Sequence, residues 1–139
     1  MIIITLFALK MRLNEYREGH HEAKEGNRLF TEFKGSLSEN YILQSMVNQF
    51  EVIPRYWTSG NQAEVDFLIQ HKNHIIPVEV KSGESIRSRS LTLYQRQFQP
   101  PISIRFSLQN LRFDSGLLNI PLFLADQTNR LLENLGNNM

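Results

Sequence analysis

Apolar residues recur at helical spacing over residues 29–47, first as Leu29, Phe33, Leu37 and Tyr41 and then as Ile42, Leu43, Met46 and Val47. This pattern predicts a helix that other elements wrap along its second half. Glu39 lies three, four and seven residues before Ile42, Leu43 and Met46, so helix geometry sets a carboxylate on an otherwise apolar face. On spacing alone it is either a snorkelling or capping glutamate at the edge of the stripe or a group kept there for chemistry. Residues 51–57 (EVIPRYW) are rich in β formers, with Tyr56 and Trp57 expected in the core ahead of stacking on a nucleic-acid base, and Ser59-Gly60-Asn61 signals a turn. Two alternating runs follow, residues 64–70 and 75–81, separated by His71-Lys72-Asn73-His74, and predict a hairpin. Residues 88–98 carry Leu91, Tyr94 and Phe98 on one stripe and are stopped by Pro100-Pro101, which reads as a second helix. Residues 102–108 alternate as a strand, Asp114-Ser115-Gly116 marks a loop, residues 120–125 read as a last strand or short buried segment, and residues 134–139 as a frayed tail. The expected order is helix, strand, hairpin, helix, strand: an α/β domain with an αβββαβ core and a mixed sheet flanked by helices. In it the crossover helix near residue 92 makes the last core strand parallel to a neighbour.

Centring the hairpin turn between Lys72 and Asn73 pairs residues whose numbers sum to 145, so that Val65 meets Val80, Phe67 meets Val78 and Ile69 meets Ile76. The same register sets Asp66 opposite Glu79 on the other face, with Lys81 two residues beyond Glu79 and on its side. Directly opposed carboxylates destabilise a sheet unless a cation or a shared proton sits between them. Pro77 shares that face and cannot donate to a ladder, which predicts a bulge or an edge there.

Composition narrows the chemistry. The 139 residues contain 15 Lys+Arg against 14 Asp+Glu, 41% hydrophobic residues and no cysteine, which fits one globular domain. Without cysteine there are no disulfides, thiolate zinc sites or thiol nucleophiles, and a reducing cytoplasm suits the chain. A net charge of +1 does not by itself point to nucleic acid, but placement does. Between Ser82 and Arg112 five arginines (Arg87, Arg89, Arg96, Arg105, Arg112) face only Glu84, five minus one or +4 locally. Of these Arg87, Arg89 and Arg96 are candidate phosphate contacts, set against plain solvation of a helix face. Residues 1–9 are apolar but lack a basic leader and fall short of the ~20 residues needed to span a bilayer. They read as a short buried strand or an apolar end awaiting a partner. Residues 14–24 read as a solvated linker in which His20, His21 and Glu22 are surface groups first and metal ligands only second.

Glu39, Asp66, Glu79 and Lys81 are the polar residues that a fold alone does not require. Carboxylate oxygens are what magnesium, or manganese in its place, selects. A cation there would offset the Asp66/Glu79 repulsion, acidify a bound water and polarise a phosphoryl oxygen, while Lys81 could orient the attacking hydroxide. Asp66, twelve intervening residues and then Glu79-Val80-Lys81, preceded by a helix carrying Glu39, resembles the PD-(D/E)XK nuclease superfamily, which includes restriction enzymes and archaeal Holliday-junction resolvases. More narrowly, FKGSLSENY from Phe33, YWTSGNQAEVDF from Tyr56 and PVEVKSGE from Pro77 resemble domain of unknown function 4143, the C-terminal domain of bacterial and archaeal AAA-type ATPases. The resemblance runs from about residue 26 to residue 125.

The resemblance implies a restriction-endonuclease-like fold over residues 26–133, with residues 1–25 an atypical segment and 134–139 a tail. It also implies a magnesium-dependent site at Glu39, Asp66, Glu79 and Lys81, with metal held by Asp66, Glu79 and Glu39. The expected partners are nucleic acid, DNA first, and an AAA-type ATPase module upstream. The chain has no GxxxxGK[ST] loop, so it is not itself that ATPase, and its first 25 residues match the family poorly, as in a truncated or split member. Three functions follow as expectations: phosphodiester hydrolysis on nucleic acid first, then a non-catalytic interaction or regulatory module of an ATPase, then nucleic-acid binding without cleavage. A homodimer, with residues 1–9 as candidate contact, would suit an enzyme that cuts both strands.

Overall fold

A computed structural model of the chain describes residues 25–60 and 62–136, residues 25–33 by their backbone alone. The expectations for residues 1–9, for the linker with its histidines and for residues 137–139 lie outside the described residues. The chain divides into two compact units, Met1–Lys34 and Gly35–Met139, and every side chain discussed below belongs to the second.

Helix α1 (Glu25–Val47) is followed by strands β1 (Arg55–Thr58), β2 (Glu64–His71) and β3 (His74–Val80). Helix α2 (Arg89–Phe98), strands β4 (Ser103–Ser107), β5 (Arg112–Asp114) and β6 (Leu117–Pro121), a 3-10 turn (Leu122–Gln127) and helix α3 (Thr128–Gly136) complete the order. The strands form one six-stranded mixed sheet in the order β1-β2-β3-β4-β6-β5. β3 and β4 are parallel, joined by the α2 crossover as expected, and β4 and β6 are parallel as well. Among the described residues no helix is long and apolar enough to cross a membrane.

The hairpin register is the one the alternation implies. Phe67↔Val78, Ile69↔Ile76 and His71↔His74 are partners across a two-residue turn in which Lys72 takes a left-handed φ of 53°. Pro77 makes neither a bulge nor an edge: it sits in register opposite Leu68, inside a strand with neighbours on both sides. The sheet tolerates it because, counting from the closed His71↔His74 rung, residue 77 turns its nitrogen away from β2, and pairing to β4 begins only at Val78.

Ile42 and Met46 of α1, Leu132 of α3 and Ala125 pack with Ile76, Val78, Val80, Ile104, Phe106, Leu118 and Ile120 into one core. Each fully buried aliphatic or aromatic side chain contributes about 1.5–3 kcal/mol. Of the stripe from Leu37 on, Ile42, Leu43 and Met46 are buried, whereas Leu37 and Tyr41 remain 54% and 47% exposed. Gln49, just past α1, donates to the Ala125 carbonyl at 2.8 Å and accepts from the Asn129 backbone at 3.0 Å, fastening the first turn of α3. Ser88 caps α2 by accepting from the Leu91 N–H at 3.0 Å, and Gln99 closes it at φ 46° ahead of Pro100-Pro101.

The C-terminal reading needs correction. Ser115 (φ 50°) and Gly116 (φ 77°) form a tight turn, so the last strand begins at Leu117 and residues 122–127 are a 3-10 turn. A Cβ on Gly116 would come within 3.4 Å of the Pro101 carbonyl, and its left-handed φ favours glycine in any case. Residues 134–136 belong to α3 rather than to a tail, because Leu132 is buried and Leu131 and Leu135 pack against the same core. Tyr56 is 63% exposed instead of buried, whereas Trp57 meets Tyr94 and Phe98 edge-on at ring distances of 5.2 and 5.8 Å.

Candidate functional site

The site forms where β2 and β3 part. Backbone rungs at His71↔His74, Ile69↔Ile76 and Phe67↔Val78 make Val65 and Val80 the next pair expected to exchange backbone bonds. The Val80 N–H instead donates to Asp66 Oδ2 at 2.7 Å, so a carboxylate replaces the carbonyl that a continued ladder would offer. β3 meanwhile engages β4, with Glu79 beside Arg105 and the Lys81 N–H donating to the Phe106 carbonyl at 2.8 Å. The fork therefore exposes Asp66 to Glu79 while both remain on ordered strands.

Glu79 is 4% exposed. Its Oε1 lies 2.7 Å from Lys81 Nζ, and its Oε2 is buried with no hydrogen-bond partner among the described residues. Burying a charged oxygen without a partner is costly, and such atoms are uncommon in native structures. Asp66 is half-buried and its pKa is pushed up to about 7. Loss of solvent is the main cause, the Glu79 carboxylate the next, and Glu39 adds to the rise, while the Val80 N–H and the Lys81 ammonium oppose it. Glu39, half-buried on α1, is thus close enough for Asp66 to feel its charge. The sequence's four residues are electrostatically coupled, three of them through the strand fork and one from the helix.

Among the described residues no group of three or more Asp, Glu or His side chains converges tightly enough to hold a metal ion. Asp66 feels the charge of Glu79 first and that of Glu39 more weakly. Two carboxylates with an orphaned buried oxygen suit a hard cation such as magnesium, which usually takes one or two protein carboxylates and keeps several waters.

The arginines separate into two kinds. Arg87, Arg89 and Arg96, all exposed, line a cleft of about 700 Å³ together with Arg105. Arg112 instead pairs with Asp114 at 2.9 Å, which removes it from the expected positive segment. Arg105 is the residue that sequence reasoning did not single out. Its Nε donates to Asn119 Oδ1 at 2.9 Å and its Nη1 to the Ile86 carbonyl at 3.3 Å. Asn119 is itself buried and fully bonded: Oδ1 also accepts from Ser107 Oγ at 2.8 Å, and Nδ2 donates to the Gln109 and Asn110 carbonyls at 3.3 and 2.9 Å. The alternation of residues 102–108 places Arg105 on the polar side with Ser103 and Ser107, a signal in the sequence. Its neighbours Glu79 and Asn119 follow only from two parallel registers.

The class that fold and geometry define is a mixed α/β domain whose central strands fork around a carboxylate pair and a lysine. The model of the family described as Domain of unknown function (DUF4143) matches residues 34–124, and the chain belongs to that family. The matched span runs from within α1 into the 3-10 turn and contains Glu39, Asp66, Glu79, Lys81 and the arginine cleft. No curated protein and no solved structure matches the chain.

Proposed function

We propose that the domain is a metal-dependent phosphodiesterase acting on nucleic acid, an endonuclease or resolvase of the PD-(D/E)XK kind with a restriction-endonuclease-like core. The observation that carries this reading is the Asp66–Glu79–Lys81 fork, a coupled carboxylate pair in which Glu79 keeps one buried oxygen without a partner. Magnesium, or manganese in its place, would be held by Asp66 and Glu79 with Glu39 contributing charge, and supplies Lewis-acid polarisation of a phosphoryl oxygen and a more acidic water.

The protein's own groups do the rest. Asp66 stays oriented through the Val80 N–H, which fixes one oxygen and leaves the other for a ligand or a proton. Lys81, steered by Glu79, carries a compact positive charge on the same strand and orients the attacking water toward phosphorus or stabilises the charge that builds on the phosphoryl oxygens. In the reaction an oxygen–phosphorus bond forms from water, the bond to the leaving strand breaks, and the departing oxygen takes up a proton. The arginine cleft would hold the phosphodiester backbone.

A second reading is favoured by one observation, that no three carboxylate or imidazole groups converge among the described residues. On that reading the domain is a non-catalytic interaction or regulatory module of an AAA-type ATPase. The two separate on a thermal-stability titration with magnesium or manganese, because a ligand that binds only the folded state raises the melting temperature by mass action. The expected result is a rise that Asp66→Ala abolishes. No shift at millimolar metal refutes the metal site, and a shift without cleavage of branched or linear DNA leaves the module.

A further inference from the structure

The cleft of about 700 Å³ beside α2 is lined by Arg87, Arg89, Arg96 and Arg105 and, among the described residues, by no aspartate or glutamate. Among the described residues none of these four arginines makes an ion pair. Three of them are exposed and solvated, but Arg105 is half-buried. Its two hydrogen bonds go to an amide oxygen and a backbone carbonyl, neither of which carries a negative charge. Loss of solvent accordingly lowers its pKa. Arg105 is also the register partner of Glu79 on the neighbouring strand, so it links the arginine cleft to the acidic fork.

The spacing of the cations describes the anion. Arg89 and Arg96 are seven residues apart on one helix, roughly 10 Å along its axis. At that spacing each can take a different phosphate of a linear chain. Guanidinium groups are suited to phosphate because their planar fork matches two of its oxygens, and Arg105 is already pinned by Asn119 with part of that fork left over.

We infer that this cleft binds the phosphodiester backbone of a nucleic-acid strand without any metal, with Arg105 as the anchored contact that positions the strand beside Glu79. The inference rests on the nucleic-acid half of the proposed function and is independent of the hydrolytic half. Binding precedes chemistry here: the four arginines hold successive phosphates, and the strand's onward path leads over Arg105 to the fork.

The test is fluorescence anisotropy of the full chain with a labelled single-stranded oligonucleotide in a metal chelator, repeated from low to moderate salt. Each phosphate contact on a single strand contributes ~0.7 to the slope of log affinity against log salt, so the wild type should show a slope near ~3. The exposed double variant Arg89→Gln/Arg96→Gln should lower that slope by about 1.4 and Arg105→Gln by about 0.7, while Arg105→Lys, which keeps the charge, should keep the slope. The double variant touches no buried bond, so a folding defect in Arg105→Gln would leave the test intact. Absence of binding at low salt, or slopes unchanged in both glutamine variants, overturns the inference. Displacement by millimolar inorganic phosphate, or by poly-glutamate as readily as by unlabelled oligonucleotide, overturns it as well, the first showing a single-anion pocket and the second a surface for acidic protein. Binding in chelator with no cleavage in magnesium would support the inference and refute hydrolysis alone.

Discussion

Replacing Asp66 by asparagine should stabilise the domain at alkaline pH. The folded protein raises this carboxyl from 3.8 to about 7, chiefly by burial and by the charge of Glu79. A group whose pKa is raised by folding favours the folded state while it is protonated. That advantage is complete below the unfolded pKa and is lost as pH rises through the folded pKa. Above pH 7 the native domain therefore carries an ionised Asp66 where the protonated acid is preferred, at a cost on the order of 4 kcal/mol. Asparagine keeps an oxygen for the Val80 N–H, bonded at 2.7 Å in the wild type, and carries no charge. Urea denaturation in a metal chelator at pH 4.5, 5.5, 7 and 8.5 should show Asp66→Asn gaining up to about 4 kcal/mol at the highest pH. The gain should still be about 4 kcal/mol at pH 7, fall to about 2 kcal/mol at pH 5.5 and to about 1 kcal/mol at pH 4.5. Against a total stability of roughly 5–15 kcal/mol this is a large effect. A difference of constant size across pH, or a less stable variant at pH 8.5, would refute the placement of Asp66 against Glu79 in a poorly solvated fork.

Two further substitutions probe the scaffold. Asn119→Ala removes the acceptor shared by Arg105 Nε and Ser107 Oγ and strands two loop carbonyls, so denaturation should show a loss of about 2–4 kcal/mol, with weaker oligonucleotide binding as Arg105 loses its tether. Phe106→Ala empties a fully buried position in the sheet core and should cost about 3–5 kcal/mol in the same assay, without altering the salt dependence of binding.

The parts of this architecture that depend on local pattern were legible in the sequence. The β2–β3 register followed from alternation and a two-residue turn, and the α2 boundaries from Ser88 and the Pro100-Pro101 stop, because each is set by residues close in the chain. Glu39, Asp66, Glu79 and Lys81 stood out because helix and strand periodicity makes a misplaced carboxylate visible. Contacts set by distant partners were hidden. Pro77 promised a bulge because its neighbour across β4 could not be known, and the missing donor falls where no rung is needed. The helix at residues 128–136 depends on Gln49, some 80 residues away, for its first turn. Arg105 looked like one of five surface arginines until two parallel registers set it between Glu79 and Asn119. Arg112, equal to it in sequence terms, is neutralised by Asp114 within its own short strand.

Cleavage of supercoiled plasmid and branched DNA by wild type and Lys81→Ala, with magnesium or manganese, tests the phosphodiesterase reading most directly. Lys81 contacts Glu79 Oε1 at 2.7 Å while the acidic pair itself stays intact in the variant. Wild type should cut, and Lys81→Ala should retain the metal-induced rise in melting temperature while turnover falls by about a hundredfold or more. No cleavage by the wild type in either metal, or equal cleavage by the variant, would contradict it.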